Sequence, residues 1–129
     1  MKESVLRAFF EGKIDAAALS TDLENTIVAE HDVFRYKIQD MEEFFQLRPE
    51  HLASLCDAVL ADQIEPEHLE TIAFCITASD AFMYDTNTPD GDLVGEVCSD
   101  WSAPEINYPL TKENVKKFRE RLTTAKNPF

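Results

Sequence analysis

Oxygen-bearing side chains crowd one short stretch of the chain and could together hold a divalent cation. They are Asp85, Asn87, Asp90, Asp92 and Glu96. Glu96 stands eleven positions after Asp85, which is the spacing of the first and last ligands of a calcium loop. The match then fails, because such a loop has glycine sixth and a ligand fifth, whereas here Gly91 is seventh and Pro89 is fifth. We therefore interpret the stretch as a polar turn around residues 89–91, with a divalent-cation site in the 85–96 loop as an alternative.

Groups that could act in catalysis are present, but their surroundings do not suit the task. The sequence contains no GxSxG, HExxH, Walker A or GxGxxG motif. His31, His51 and His68 could serve as bases, but a general base needs a positioned substrate or nucleophile, and His51 and His68 stand beside acids at predicted helix starts, where a base is poorly shielded. Cys98 is the best placed of the three cysteines to act as a nucleophile, but the acids around it would raise its pKa. The sequence therefore favours a protein that is not an enzyme and carries no cofactor.

Negative charge is concentrated between positions 80 and 105, where seven Asp or Glu residues occur. No Lys or Arg lies between Arg48 and Lys112, and a block of like charge is destabilised by self-repulsion unless it spreads out or faces a cation. Aromatic residues stand among these acids, which is typical of interface hot spots. The segment is therefore predicted to bind a basic protein. The predicted contact residues are Asp80, Tyr84, Asp85, Asp92, Asp100, Glu105 and Tyr108.

The composition limits the classes of partner and compartment. The 129 residues carry 25 acids against 12 Lys and Arg, a formal net charge of −13, which disfavours nucleic acids and anionic membranes as partners. The 44% of apolar residues suffices for one domain, which we expect to span residues 1–129. Three widely spaced cysteines without a CxxC pair do not form a disulfide framework, and no apolar run approaches the roughly 18 residues of a membrane span. These features predict a cytoplasmic protein.

Apolar residues recur mostly at helical spacing, which predicts the elements that position these groups. We expect a first helix that stops at Gly12, a second from about residue 15 to residue 30, and a helical turn over residues 41–45. The sequence Pro-Glu-His-Leu occurs at residues 49–52 and again at 66–69, and we interpret both copies as helix starts that open an antiparallel hairpin. The apolar stripe of its second helix runs on to Phe82.

The predicted elements continue beyond the hairpin. A short helix is predicted from Leu93 to Trp101, with Trp101 at the core, and a last helix follows the N-cap candidate Thr111. The basic residues of that last helix are interpreted as a solvated face. Residues 33–38 alternate in a partial strand pattern and are interpreted as a connector. The predicted fold is all-α, a compact bundle of five or six helices, and the alternative is a small α+β fold that uses residues 33–38.

Two segments of the chain resemble a known family. Residues 6–14 (LRAFFEGKI) are similar to the opening helix and turn of the colicin D immunity type, and an acidic, aromatic-bearing segment precedes a last helix that ends in residues 118–122 (FRERL). The resemblance to these small acidic helical bacterial immunity proteins covers about a quarter of the chain. It implies a helical bundle whose acids stand in for substrate phosphates and cover the active site of a basic nuclease toxin.

The sequence as a whole predicts an acidic cytoplasmic binding protein. Its partner would be a basic protein, and the family resemblance makes this chain an immunity or inhibitor protein that neutralises a nuclease toxin. Two alternatives of other classes stay open. One is a bacterial helical protein with a divalent-cation site in the 85–96 loop, and the other is a homodimeric scaffold that associates through the hairpin carrying Cys56 and Cys75.

Overall fold

The fold is mostly helical. The computed structural model describes residues 3–24, 27–30, 33–36, 44–79, 81–124 and 129, with backbone alone at 24, 27–30 and 33–36. The helices in these ranges are α1 (Glu3–Phe10), α2 (Ala16–Glu24), α3 (Pro49–Leu60), α4 (His68–Ala78), α5 (Pro89–Ser102) and α6 (Lys112–Thr124). The prediction of a compact bundle of five or six helices is therefore confirmed. No helix in the described ranges is both long enough and apolar enough to cross a membrane.

The core lies between α3, α4, α5 and α6. Helix α3 packs most extensively on α6, and α4 packs on α5. Trp101 is completely buried and meets the ring of Phe118 edge to face, with 5.9 Å between ring centroids, so its predicted place in the core is confirmed. A large apolar side chain that is fully buried stabilises the fold by roughly 1.5–3 kcal/mol. Burial of the apolar faces of these helices therefore contributes more to stability than the helix propensity of single residues does.

The repeated Pro-Glu-His-Leu sequence serves the same purpose in both copies. The Nδ1 atom of His51 accepts the backbone N–H of Arg48 at 2.9 Å, and Nδ1 of His68 accepts that of Glu65 at 3.1 Å. Each histidine thus satisfies a backbone donor just before its helix, as the third residue of a capping box does. Burial lowers the pKa of His51, which keeps its ring neutral and able to accept this bond at neutral pH.

A short antiparallel hairpin replaces part of the second predicted helix. Helix α2 ends at Glu24, and strand β1 (Ile27–Glu30) pairs with strand β2 (Val33–Tyr36). The prediction of a helix to residue 30 was therefore wrong, because β-branched residues at 27 and 28 favour a locally paired strand. The interpretation of residues 33–38 as a connector was wrong for residues 33–36, which form a strand, while residues 37 and 38 lie outside the described ranges. The fold is mainly helical, and this hairpin is a minor two-stranded sheet.

A second, parallel pair joins two distant parts of the chain. Strand β3 (Phe45–Gln46) lies beside strand β4 (Phe82–Met83), and the N–H of Phe45 donates to the carbonyl of Ala81 at 2.8 Å. Two predictions were wrong here: Phe45 is not in a helical turn, and α4 ends at Ala78 rather than continuing to Phe82. A pairing between residues this far apart cannot be deduced from local periodicity. The pairing of β3 with β4 fixes the start of the segment that follows β4.

Candidate functional site

The polar stretch after β4 is a helix start. The carbonyl of Asp85 accepts the N–H and the hydroxyl of Thr88 at 3.0 and 2.7 Å, and the Thr88 Oγ1 atom accepts the N–H of Gly91 at 3.1 Å. Pro89 occupies the first turn of α5, where its missing N–H has no partner to lose. The predicted loop was therefore too long, because α5 begins at Pro89 instead of Leu93. Its residues Asp90 and Asp92 belong to the first turn of a helix.

Gly91 has a steric purpose in this turn. A Cβ atom at this position would lie 1.8 Å from the backbone oxygen of Asp85, far inside van der Waals contact. The glycine therefore lets the 85–88 turn close against the first turn of α5.

The five oxygen donors of the 85–96 stretch are not arranged around a common point. Asp85 Oδ1 accepts the N–H of Asn87 at 2.9 Å, as in an Asx turn, whereas Asp90 and Asp92 project from the helix. Glu96 pairs with Arg121. Among the described residues no group of three or more His, Cys, Asp or Glu side chains could hold a metal ion. The geometry therefore does not support the divalent-cation alternative.

Three acids of α5 form one row on the surface of the helix. Asp92, Glu96 and Asp100 follow one another at intervals of four residues, so their side chains share a face. Like charges at this spacing destabilise a helix by about 0.2–0.5 kcal/mol for each pair. A groove of about 800 Å³ lies over this row. Its lining includes Tyr84 and Thr86 before α5, residues 106–108 after α5, and Arg121 of α6.

Arg121 is the cation of the groove. Its guanidinium pairs with Glu96 and, at 3.3 Å, with Asp100, and only 13% of its side chain is exposed. The prediction that the basic residues of the last helix form a solvated face was wrong for this residue. Arg121 stands three positions after the buried Phe118, which points it toward α5. That spacing is visible in the sequence, but the acids that it meets come from a separate helix.

Asp100 retains an electrostatic penalty despite this ion pair. Burial raises the pKa of Asp100 above its ordinary value of 3.8, whereas the charge of Arg121 and its hydrogen bond lower it and Glu96 raises it further. Arg121 therefore pairs with two of the three acids of the row, and Asp92 forms no ion pair in the described part of the chain. A second cation in the groove would be met by carboxylates that are still incompletely compensated.

Two tyrosines stand at the groove. A Cβ atom on Gly95 would lie only 3.3 Å from Cε2 of Tyr84, so the absence of a side chain in mid-helix makes room for this ring. Burial raises the pKa of Tyr84, so its phenol stays protonated at neutral pH. Tyr108 stacks on Phe129 at 4.0 Å between centroids and meets Phe118 edge to face. Both rings are therefore held by neighbours from other segments.

The groove brings together four of the seven predicted contact residues. They are Tyr84, Asp92, Asp100 and Tyr108. Asp85 lies between two lining residues without lining the groove itself, and Glu105 is exposed next to the lining residue Ile106. Asp80 lies outside the described residues. Sequence reasoning missed Arg121, Gly95 and Ile106, the last of which is 80% exposed.

The three cysteines lie in the core. Cys56, Cys75 and Cys98 are buried and form no disulfide. Burial raises the pKa of Cys56 and of Cys98 to about 12, so neither thiol supplies a thiolate at neutral pH. The side chains of Cys56 and Cys75 offer no surface to a second copy of the chain, so the structure gives the homodimeric scaffold no support at these positions.

Comparison with known protein families, with curated proteins and with solved structures found no match to this chain.

Proposed function

We propose that this chain is an acidic binding protein that docks a basic protein at the groove over α5. The proposal rests on one observation: the groove is lined by three carboxyl groups and two tyrosines but by a single guanidinium, in a chain of formal net charge −13. Groups of this kind, a polar charged patch with aromatic anchors, are typical of sites that recognise a complementary protein surface.

Part of the charge left for a partner lies at, or just before, the N-terminal end of α5. Asp57 pairs with Arg119, and Asp62 pairs with Lys112, so these acids are already compensated within the fold. In the described part of the chain, Asp85, Asp90 and Asp92 are exposed and form no ion pair. A basic surface that approached this end of α5 would meet carboxylates that no internal cation has neutralised.

Apolar contact area borders the same groove. Ile106 is 80% exposed at one side, and Met83, half exposed, directly precedes Tyr84 at the other. Isolated exposed apolar residues are ordinary, but Ile106 lines a charged concave surface that two tyrosines also line. The arrangement is that of an apolar anchor set within a polar rim.

The identity of the partner is proposed from the family resemblance alone. On that resemblance the partner is a nuclease toxin whose basic cleft normally receives phosphates, and the exposed carboxylates of α5 occupy that cleft in their place. The chain then acts in the cytoplasm as an immunity protein. Electrostatic attraction of this kind raises the association rate and weakens steeply with salt.

The test is capture of partners from a lysate of the source organism at low salt, followed by stepwise elution with salt and mass spectrometry. We expect one basic protein in stoichiometric yield with the unaltered chain, and loss of that protein with an Asp85→Asn, Asp92→Asn variant. The matched control is Glu65→Gln, Glu120→Gln, which removes the same charge from exposed positions that do not line the groove. If the captured protein is a nuclease, adding the chain should stop its activity.

Equal loss of the captured protein in the two variants would contradict a localised docking site. Recovery of only a broad set of basic proteins would contradict specific binding, because net charge alone produces that pattern.

A further inference from the structure

We propose that His51 makes one corner of the fold sensitive to mild acid, because its neutral ring holds α1, β3 and the start of α3 together. The groups in contact with it are Phe10 of α1, Phe45 of β3 and the backbone N–H of Arg48 just before α3. We call this set of contacts the His51 junction. It is a property of the fold itself, so it does not depend on the docking function proposed above.

The imidazole of His51 meets two aromatic rings that come from separate elements. Its centroid lies 5.4 Å from that of Phe10 and 5.0 Å from that of Phe45, and the two phenyl rings stack on each other at 5.9 Å. All three side chains are half-buried. A positive charge on this imidazole would therefore be partly withdrawn from water, which raises the free energy of the charged form.

The hydrogen bond at the start of α3 also requires the neutral ring. Nδ1 of His51 accepts the N–H of Arg48 at 2.9 Å. A protonated imidazole carries hydrogen on both nitrogens, so Nδ1 could no longer accept and would direct its own N–H at that of Arg48. His51 is the third residue of α3, where the helix dipole also disfavours a positive charge. Protonation therefore breaks the bond that joins the ring to the chain before the helix.

The charged groups around the junction do not reverse this preference. Glu50, the preceding residue of α3, favours the protonated ring, whereas Arg48 disfavours it. From α1, the guanidinium of Arg7 lies 5.7 Å from the centroid of the phenyl ring in β3 and pairs with Glu11. The phenyl rings attract a cation at these distances and offset part of the cost. Burial is the largest influence, and it lowers the pKa of His51 below its ordinary value of 6.5.

The sign of the pH effect follows from this direction. The unfolded chain takes up a proton at His51 at a higher pH than the folded chain does. The contribution of the junction to stability is therefore complete above about pH 6.5 and is lost as the pH falls below that value.

The second copy of the Pro-Glu-His-Leu sequence supplies a matched control. Nδ1 of His68 accepts the N–H of Glu65 at 3.1 Å, which is the same bond that His51 makes. No aromatic ring of the described residues contacts His68, and its neighbours in the sequence include Glu65, Glu67 and Glu70. The two histidines thus share the hydrogen bond and differ in the rings.

The experiment compares urea unfolding of the unaltered chain, the His51→Gln protein and the His68→Gln protein at pH 7.5 and at pH 5. Glutamine accepts a hydrogen bond but does not titrate. We expect the unfolding equilibrium constant of the unaltered chain to rise, between these two pH values, about threefold more than that of His51→Gln. His68→Gln should stay close to the unaltered chain. Asp100 and Glu70, whose pKa burial raises, are present in all three proteins and cancel in the comparison.

A second measurement keeps the test valid if a variant is too unstable to compare. In the unaltered chain, hydrogen exchange at the Arg48 amide, corrected for its intrinsic pH dependence, should lose about fivefold in protection as the His51 ring takes up its proton. The ring resonances of Phe10 and Phe45 should shift over the same pH range.

Three results would each overturn the inference. One is equal pH dependence of unfolding in the unaltered chain and in His51→Gln. Another is an equal loss of that pH dependence in His51→Gln and His68→Gln, because the aromatic rings would then make no difference. The last is an Arg48 amide whose protection does not follow the titration of His51.

Discussion

Helices α3 and α5 both begin with proline in the first turn and both bury one face in the same core, yet their remaining residues differ sharply. Helix α3 contains no glycine, and its Asp57 forms an exposed ion pair with Arg119. Helix α5 contains two glycines, Gly91 and Gly95, and a row of three acids. By local propensity α3 is a good helix and α5 is a poor one.

The unfavourable features of α5 serve identifiable purposes. Gly91 admits the backbone of Asp85, Gly95 admits the ring of Tyr84, and the row of acids lines the groove. A glycine in the middle of a helix lowers its stability by about 1 kcal/mol relative to alanine. Where unfavourable residues of this kind are gathered on one side of a helix, that side is a candidate functional surface. Helix α3 also borders a groove, of about 590 Å³ and shared with α6, but it contains no glycine and no comparable row of acids.

Among substitutions that test the contrast between α3 and α5, the largest effect on unfolding free energy is expected from Gly91→Ala. The added Cβ would lie 1.8 Å from the Asp85 oxygen, so the helix start has to open, and we expect a loss of more than about 3 kcal/mol in unfolding free energy. Gly12→Ala is the matched control, because its Cβ meets open space and only the left-handed φ of +76° opposes it, for about 1–2 kcal/mol. Urea unfolding measures both. A Gly91→Ala protein as stable as the control would refute the close approach.

An intermediate effect is expected from the two arginines that link α6 to the compared helices. Arg121→Met leaves Glu96 and the half-buried Asp100 without their cation, for a loss of about 2 kcal/mol. Arg119→Met breaks an exposed pair with Asp57, where 46% of the arginine is exposed, for less than about 1 kcal/mol. Thermal unfolding at low salt compares them. Equal losses would mean that Arg121 is an ordinary surface cation.

Local patterns predicted the helices well where one stripe of apolar residues recurs. The start of α3 at Pro49 and the buried place of Trp101 follow from helix-start chemistry and spacing, and the structure confirms them, whereas α4 begins at His68, two residues after its proline. The end of α2 and the pairing of Phe45 with Phe82 could not be predicted this way, since strand pairing depends on partners distant in sequence.

The groove was only half predictable for the same reason. The charge density at residues 80–105 pointed to Asp92 and Asp100, and the amphipathic phenol pointed to Tyr84 and Tyr108. Arg121 was missed because its acid partners lie on α5, 21 and 25 positions away. Periodicity shows that a residue faces inward, but it does not show which side chain it will meet.

The most direct test of the central claim, that α5 departs from a stable helix in order to form a recognition groove, is the Gly95→Ala protein. Alanine improves helix propensity, so we expect unfolding free energy to be unchanged or raised by up to about 1 kcal/mol. The new Cβ would stand 3.3 Å from Cε2 of Tyr84, so that ring has to shift by a few tenths of an ångström, and affinity for the captured basic partner should fall. We predict that unfolding free energy and affinity diverge when both are measured on this protein, because stability is kept while affinity is lost. Unchanged affinity, or loss of stability and affinity together, would contradict the account.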